Sequence, residues 1–132
     1  MDASQSVLVV DDLRTMTAIL RRLLHNIGFA DVDAVCDGGS ALESLSRKSY
    51  RLVISDWEMQ PMTGPELVQA IRQNPALSDT RIILITAHGM RHDEAWLAGA
   101  DGYLSKPFSA PELQEKIEEV FSLSADQMRT AS

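Results

Sequence analysis

The sequence Val7-Leu8-Val9-Val10-Asp11-Asp12 joins a short apolar run, rich in β-branched residues, to two adjacent carboxylates. Such a run is typical of a strand that is buried on both faces of a parallel sheet. Three further apolar runs end in polar residues in the same way: Leu52 to Ile54 before Asp56, Ile82 to Ile85 before Thr86, and Gly102 to Ser105 before Lys106. The carboxyl ends of parallel strands share one edge of the sheet, where ligands bind. The sequence therefore predicts one site that contains Asp11, Asp12, Asp56, Thr86 and Lys106.

Segments with helical periodicity alternate with these runs. The clearest is the repeat of apolar residues from Met16 to Ile27, which Gly28 ends. Ser109 and Glu112 predict a capping box at the start of the last helix. Five βα units predict an α/β fold, with a five-stranded parallel sheet and helices on both of its faces. We expect a flexible N-terminus, one domain and a disordered tail, at residues 1–5, 6–121 and 122–132.

Length and composition limit the class of protein. The chain has 132 residues, a formal net charge of −7 and a sequence pI near 4.8, and its length suits one domain. It has no cluster of Lys and Arg, so binding to nucleic acid or to an anionic membrane is not expected. A single cysteine, Cys36, allows neither an internal disulfide nor a zinc cluster. No apolar run approaches the roughly 20 residues of a membrane span and no signal-peptide pattern is present, so we expect a cytoplasmic protein.

The charges predicted at the carboxyl edge indicate a particular chemistry. Three carboxylates close together repel one another unless a cation lies among them, and Mg²⁺ prefers oxygen ligands. A carboxylate such as Asp56 can act as a nucleophile toward phosphorus. Phosphoryl transfer depends on positioning and on charge neutralisation, which Mg²⁺, Lys106 and the Thr86 hydroxyl are able to supply. The alternative for Asp11-Asp12 is a role as the N-cap of the helix that follows.

Four motifs carry a resemblance to a known family: VLVVDDLRTM from Val7, VISDWEM from Val53, ILITA from Ile83 and GADGYLSKPF from Gly99. Over residues 6 to 121 the chain resembles the receiver domain of two-component response regulators, close to the CheY-like chemotaxis type. The resemblance implies a flavodoxin-like receiver fold whose five parallel strands have the order 2-1-3-4-5.

The resemblance also implies roles for the charged residues at the carboxyl edge. Asp56 would accept a phosphoryl group from a histidine kinase, and Lys106 would pair with the phosphate. Mg²⁺, or Mn²⁺ in its place, would be bound by Asp12, Asp56 and the backbone carbonyl of Glu58. Asp11 would act on the metal through a water molecule.

The resemblance also implies how phosphorylation would change the conformation of the protein. Thr86 would swing toward the phosphate, and Tyr103 would turn inward to fill the space. A cis peptide bond before Pro107 would orient Lys106. Because no output domain is attached, we expect a stand-alone, monomeric signalling protein rather than an enzyme. Its partners would be a histidine kinase and a downstream target, for which the flagellar motor, a kinase and a phosphotransfer protein stay open.

The chain departs from the family pattern at three places. Glu58 and His88 each lie two residues after a site residue, where the family tunes the rate at which water removes the phosphate. We hypothesise that this pair sets the phosphate lifetime; the alternative is that both are solvated rim side chains. Gln60 stands between Met and Pro, which the family has adjacent. The short spacing between Thr86 and Lys106 predicts a short or mobile fourth helix within residues 89–98.

Two other classes of protein share part of the pattern. Asp56-Trp57-Glu58 superficially resembles the nucleophile motif of haloacid-dehalogenase-type phosphatases, but those enzymes need a second Asp where Glu58 stands and lack the Asp11-Asp12 pair. A degenerate receiver that serves as a constitutive adaptor is the third class, and the presence of all five key residues argues against it. A P-loop or dinucleotide site is excluded because no Gly-rich turn follows Val10.

Overall fold

The structure is a computed structural model that describes residues 5–87 and 99–122. The described strands are β1 to β5, at Ser6–Val10, Asp31–Val35, Leu52–Asp56, Arg81–Thr86 and Gly102–Ser105. The described helices are α1 to α4, at Arg14–Ile27, Gly38–Arg47, Gly64–Arg72 and Ala110–Ser122, with a short 3-10 turn at Pro75–Leu77. None of these helices has the length and apolar character needed to cross a membrane. The predicted fourth helix within residues 89–98, the first four residues and residues 123–132 of the predicted tail lie outside the described residues.

The five strands form one parallel sheet with the order β2-β1-β3-β4-β5. This confirms the predicted fold class and strand order. Val10 is in register with Ser55, so that the residues after them, Asp11 and Asp56, lie beside each other. Asp56 and Thr86 are the last residues of β3 and β4 and not the first residues after them. The ends of four neighbouring strands therefore meet at one edge of the sheet.

Alternating side chains of the strands fill two cores, one on each face of the sheet. Val7 and Val9 point to the face covered by α1 and α4, whose buried partners include Leu20, Leu24, Leu113 and Ile117. Leu8 and Val10 point to the face covered by α2 and α3, whose buried partners include Ala41, Leu45, Leu67 and Ile71. Each large apolar side chain that is fully buried stabilises the fold by about 1.5–3 kcal/mol. Burial on both faces is the reason that the strands read as continuous apolar runs.

Capping boxes begin two of the helices, and a glycine ends a third. The backbone N–H of Glu112 donates to Ser109 Oγ at 3.2 Å and Glu112 Oε1 accepts from the Ser109 N–H at 3.0 Å, which confirms the predicted capping box of α4. Thr63 and Glu66 make the same pair of bonds at α3. Gly28 ends α1 with a φ of 130°, a conformation that side chains disfavour.

The amino edge of the sheet, opposite the predicted site, is held by a buried ion pair. Arg72 Nη2 at the end of α3 lies 2.6 Å from Asp101 Oδ2. The same guanidinium donates to the backbone carbonyls of Thr80 and Gly99 at 2.8 and 3.0 Å, and Asp101 accepts from the Ile82 N–H at 2.9 Å. Because both charges are hydrogen-bonded as well as paired, the free-energy cost of removing them from water is offset. The pair fastens α3 to the segments that enter β4 and β5.

Candidate functional site

The carboxyl ends of β1 and β3 bring three carboxylates together. One carboxylate oxygen from each of Asp11, Asp12 and Asp56 lies within 4.8 Å of the other two. Asp11 is fully buried, Asp56 is 9% exposed and Asp12 faces solvent. A group of oxygen ligands of this size, open to solvent on one side, fits a divalent cation that keeps part of its water shell.

Asp11 carries the clearest sign that a cation or water belongs in this group. Its Oδ1 accepts a hydrogen bond from the Leu13 N–H at 2.9 Å, while its Oδ2 is buried and has no partner among the described residues. Burial raises the pKa of Asp11, and the neighbouring charge of Asp56 raises that pKa further. A buried acceptor that finds no donor costs about 1–3 kcal/mol. The N-cap of α1 is Leu13 and no side-chain capping hydrogen bond is present there, so the alternative role of Asp11-Asp12 as the N-cap is wrong, and the bond to Leu13 leaves the second oxygen of Asp11 unexplained.

Asp56 is held by a lysine from the end of β5. Lys106 Nζ lies 3.2 Å from Asp56 Oδ1. Burial raises the pKa of Asp56, and the hydrogen bond and charge of Lys106 act against this by favouring the ionised carboxylate. The Lys106 N–H donates to the Thr86 carbonyl at 2.8 Å, and the Lys106-Pro107 peptide bond is cis, as the resemblance implied. The Gln60-Pro61 bond is also cis.

The neighbouring ends of β4 and β5 add hydroxyl groups. Thr86 is fully buried, and its Oγ1 lies 3.3 Å from Ser105 Oγ. Tyr103 is partly buried, and its ring centroid lies 5.4 Å from Lys116 Nζ of α4. Sequence reasoning does not identify Ser105, because a serine before Lys106 looks like an ordinary strand residue. Its register position opposite Thr86 was the signal that could have identified it.

The loop after β3 closes tightly against the site. A Cβ on Gly64 would lie 2.4 Å from the backbone oxygen of Asp56, so only glycine allows this approach. The Gly64 N–H donates to the Trp57 carbonyl at 2.8 Å. Trp57 is partly buried beside the site, and the Glu58 side chain is exposed. The predicted rim residue His88 lies outside the described residues.

Fold and site together define a small doubly wound α/β protein whose acidic trio, lysine and threonine lie at the carboxyl edge of the sheet. The chain belongs to the response regulator receiver domain family, whose pattern matches residues 7–118. It is therefore a phosphoacceptor domain of two-component signalling and not an enzyme of the usual kind.

Relatives with known names or structures agree with this family. The chain is 38% identical to the chemotaxis protein CheY of Pseudomonas aeruginosa over 117 residues, which cover 87% of this chain and 94% of that protein. A putative response regulator from Chloroflexus aurantiacus has a TM-score of 0.85 at 27% identity and covers 91% of this chain and 99% of its own. The receiver domain of a sensor histidine kinase from Pseudomonas aeruginosa, solved with a magnesium ion in its active site cleft, has a TM-score of 0.82 at 28% identity. That likeness covers 92% of this chain and all of the other.

The Asp56→Asn variant should be more stable than the wild-type protein in metal-free buffer at neutral pH. Burial raises the folded-state pKa of Asp56 above its ordinary value of 3.8. Ionisation of this carboxyl therefore lowers the free energy of unfolding as the pH rises through the raised pKa. The amide removes one of the crowded charges, so we expect a gain on the order of 1 kcal/mol. Urea denaturation with a chelator present measures this difference.

The matched control for this variant is Asp79→Asn, which removes an exposed carboxylate far from the trio. Its effect should stay within about 0.5 kcal/mol. The advantage of Asp56→Asn should also disappear below the ordinary pKa, where the wild-type carboxyl is protonated in both the folded and unfolded states. An equal gain at low and neutral pH, or a loss at neutral pH, would contradict the electrostatic account.

Proposed function

We propose that this protein accepts a phosphoryl group on Asp56 from the phosphohistidine of a histidine kinase, with Mg²⁺ bound by the acidic trio, and then changes its binding to a partner protein. One observation carries this proposal. The Asp56 carboxylate lies 3.2 Å from the Lys106 ammonium and within 4.8 Å of two other carboxylates. Such a cluster combines a nucleophile with an ammonium on one side and, on the other, carboxylates that would hold a divalent cation, so that the charge of a phosphoryl group would be neutralised from both sides.

We propose that Asp12, Asp56 and the backbone carbonyl of Glu58 bind the metal, with Asp11 acting through water. The buried Asp11 Oδ2, which has no partner among the described residues, supports this ligand set. The magnesium ion in the receiver domain of the Pseudomonas kinase supports it by similarity. When bound, Mg²⁺ supplies neutralisation of the carboxylates and of the phosphoryl oxygens; Mn²⁺, which also accepts oxygen ligands, is expected to substitute.

The residues of the chain then account for the transfer itself. A carboxylate oxygen of Asp56 attacks phosphorus while the P–N bond of the phosphohistidine breaks, and the bonding electron pair leaves with the imidazole nitrogen. The product on this chain is an acyl phosphate. Lys106 already pairs with Asp56, so its ammonium is positioned for the charge on the phosphoryl oxygens. Because the site is partly buried, this attraction is stronger than it would be in water.

The change in conformation is proposed to pass through Thr86 and Tyr103. These residues lie on neighbouring strands, where Leu84 of β4 is in register with Tyr103. A phosphoryl group would attract the Thr86 hydroxyl, and the Tyr103 ring would turn into the space that Thr86 leaves. The Tyr103 ring is partly exposed beside Lys116 before this change. The result would be a population shift that alters the surface of β5 and α4.

The partners that we propose are a histidine kinase and a downstream protein target. The Pseudomonas relative is a chemotaxis protein, which favours a target in the control of motility, such as the flagellar motor or a chemotaxis kinase. A phosphotransfer protein is the remaining target. The net charge of −7 disfavours nucleic acid as a partner.

Incubation with Mg²⁺ and acetyl phosphate should add one phosphoryl group to the wild-type protein and none to Asp56→Asn. Asn lacks the nucleophilic oxygen but has nearly the same shape, so the comparison isolates the chemistry from the fold. Intact-mass spectrometry over time gives the measurement, with circular dichroism as the control for folding. A gain in both proteins would place the phosphate elsewhere. No gain in either, from acetyl phosphate or from a phosphorylated kinase domain, would favour the adaptor function.

The lifetime of that phosphate should depend on Glu58 and His88, which we propose to act on the attacking water. Glu58 is exposed at the rim of the site, where its charge is able to repel hydroxide. We therefore expect the phosphate on Glu58→Gln and His88→Ala proteins to decay at rates that differ severalfold from wild type, a smaller effect than the roughly 10²–10⁴-fold of full general acid–base catalysis. Decay of the phosphorylated mass after removal of the donor measures this. Decay rates equal to that of wild type in both variants would contradict this proposal.

A further inference from the structure

Ser105 is a hydroxyl-bearing residue at the carboxyl edge to which the proposed reaction assigns no role. It lies on β5 in register with Thr86 of β4, and its Oγ is 3.3 Å from Thr86 Oγ1. Ser105 directly precedes Lys106, whose Nζ contacts Asp56. It is therefore connected to the site by its chain neighbour and by its own hydroxyl.

The Thr86 hydroxyl has a restricted choice of partners before any phosphoryl group arrives. Thr86 has no exposed surface, and Ser105 is the hydrogen-bond partner of its hydroxyl among the described residues. A hydroxyl carries one proton, and a buried donor without an acceptor is costly. Ser105 is partly exposed, so its own proton is able to reach other acceptors or water. The geometry allows either hydroxyl to donate, but donation by Ser105 would leave the buried Thr86 proton without an acceptor among the described residues, which favours Thr86 as the donor and Ser105 as the acceptor.

We propose that Ser105 is a positioning residue that holds the Thr86 hydroxyl in its unphosphorylated orientation. This inference rests on the proposed function, because it concerns the step in which Thr86 turns toward a phosphoryl group on Asp56. Thr86 cannot donate its single proton to Ser105 and to a phosphoryl oxygen at the same time. The bond to Ser105 must therefore be given up when the switch operates, and its strength opposes the change.

How strongly Ser105 opposes the switch depends on the relative strengths of two hydrogen bonds, from Thr86 to Ser105 and from Thr86 to a phosphoryl oxygen. A separation of 3.3 Å is long for a bond between two hydroxyls, so this bond contributes a net equilibrium factor of about twofold, and a bond to a charged acceptor contributes more. A phosphoryl oxygen therefore wins the competition, but its advantage is reduced about twofold by Ser105. Removal of the Ser105 hydroxyl should release Thr86 and make the protein switch more readily.

The test compares Ser105→Val with Ser105→Thr, which have nearly the same shape and differ by one hydroxyl. Both residues suit a strand, so both variants should fold. The first readout needs no phosphate: three-bond couplings of the Thr86 methyl carbon in the NMR spectrum report its χ1 rotamer in the unmodified protein. We expect one rotamer in wild type and in Ser105→Thr, and a mixture in Ser105→Val.

The second readout is an equilibrium titration with beryllofluoride, a non-covalent analogue of a phosphoryl group, in the presence of Mg²⁺. Emission of Trp57 beside Asp56 reports binding in a Trp96→Phe background, which removes the other of the chain's two tryptophans. The apparent dissociation constant of Ser105→Val should be about twofold lower than that of wild type, while Ser105→Thr should bind as wild type does.

Each result bears on the inference separately from the proposed function. An unchanged Thr86 rotamer in Ser105→Val overturns the inference, whatever the titration gives. Weaker binding in Ser105→Val also overturns it, because Ser105 would then support the switched state. No response of the wild-type protein to beryllofluoride counts against the proposed function, and the rotamer readout still decides whether Ser105 holds Thr86.

Discussion

Repulsion among three carboxylates at the ends of β1 and β3 is the constraint that governs the carboxyl edge of the sheet. Two of them, Asp11 and Asp56, are almost completely buried, where a charge is costly unless it is paired. Lys106 meets one oxygen of Asp56, but it leaves the trio with an excess of negative charge. The fold tolerates this excess because the trio stands on apolar strands that are buried between two cores. The same excess makes the edge receptive to a cation and to an electrophilic group.

The two edges of the sheet differ in how completely their buried polar groups are hydrogen-bonded. At the amino edge, the buried pair of Arg72 and Asp101 is satisfied by backbone groups on three sides, so that part of the fold is fixed. At the carboxyl edge, Asp11 Oδ2 has no partner among the described residues and the Thr86 hydroxyl has a replaceable one. Unsatisfied and weakly satisfied groups respond to a ligand because they gain most from it.

Much of this arrangement was predictable from the sequence because strand ends in a parallel sheet coincide in space. The runs before Asp11, Asp56, Thr86 and Lys106 indicated both the sheet and the residues that gather at its edge. The strand order came from the resemblance of the motifs and not from periodicity, which carries no information on the order of strands. The burial difference between Asp11 and Asp12 was not predictable, since adjacent carboxylates look alike until the turn after β1 is known. Ser105 was missed for a related reason: its importance lies in its register with Thr86, and register requires the paired strands. The predictions for His88 and for a short fourth helix fall on residues that the structure does not describe.

The central claim is that the acidic trio forms a binding site for one divalent cation. The most direct test is a titration of Trp57 emission with Mg²⁺ in a Trp96→Phe background, with Asp12→Asn as the comparison. Asp12 faces solvent, so its replacement should leave the fold unchanged while a neutral amide takes the place of one carboxylate ligand. The account predicts a saturable response to one ion in the background protein and a binding constant at least tenfold weaker in Asp12→Asn, in line with the loss of about 1.4 kcal/mol or more. A response that does not saturate, or one that is equal in both proteins, would contradict it.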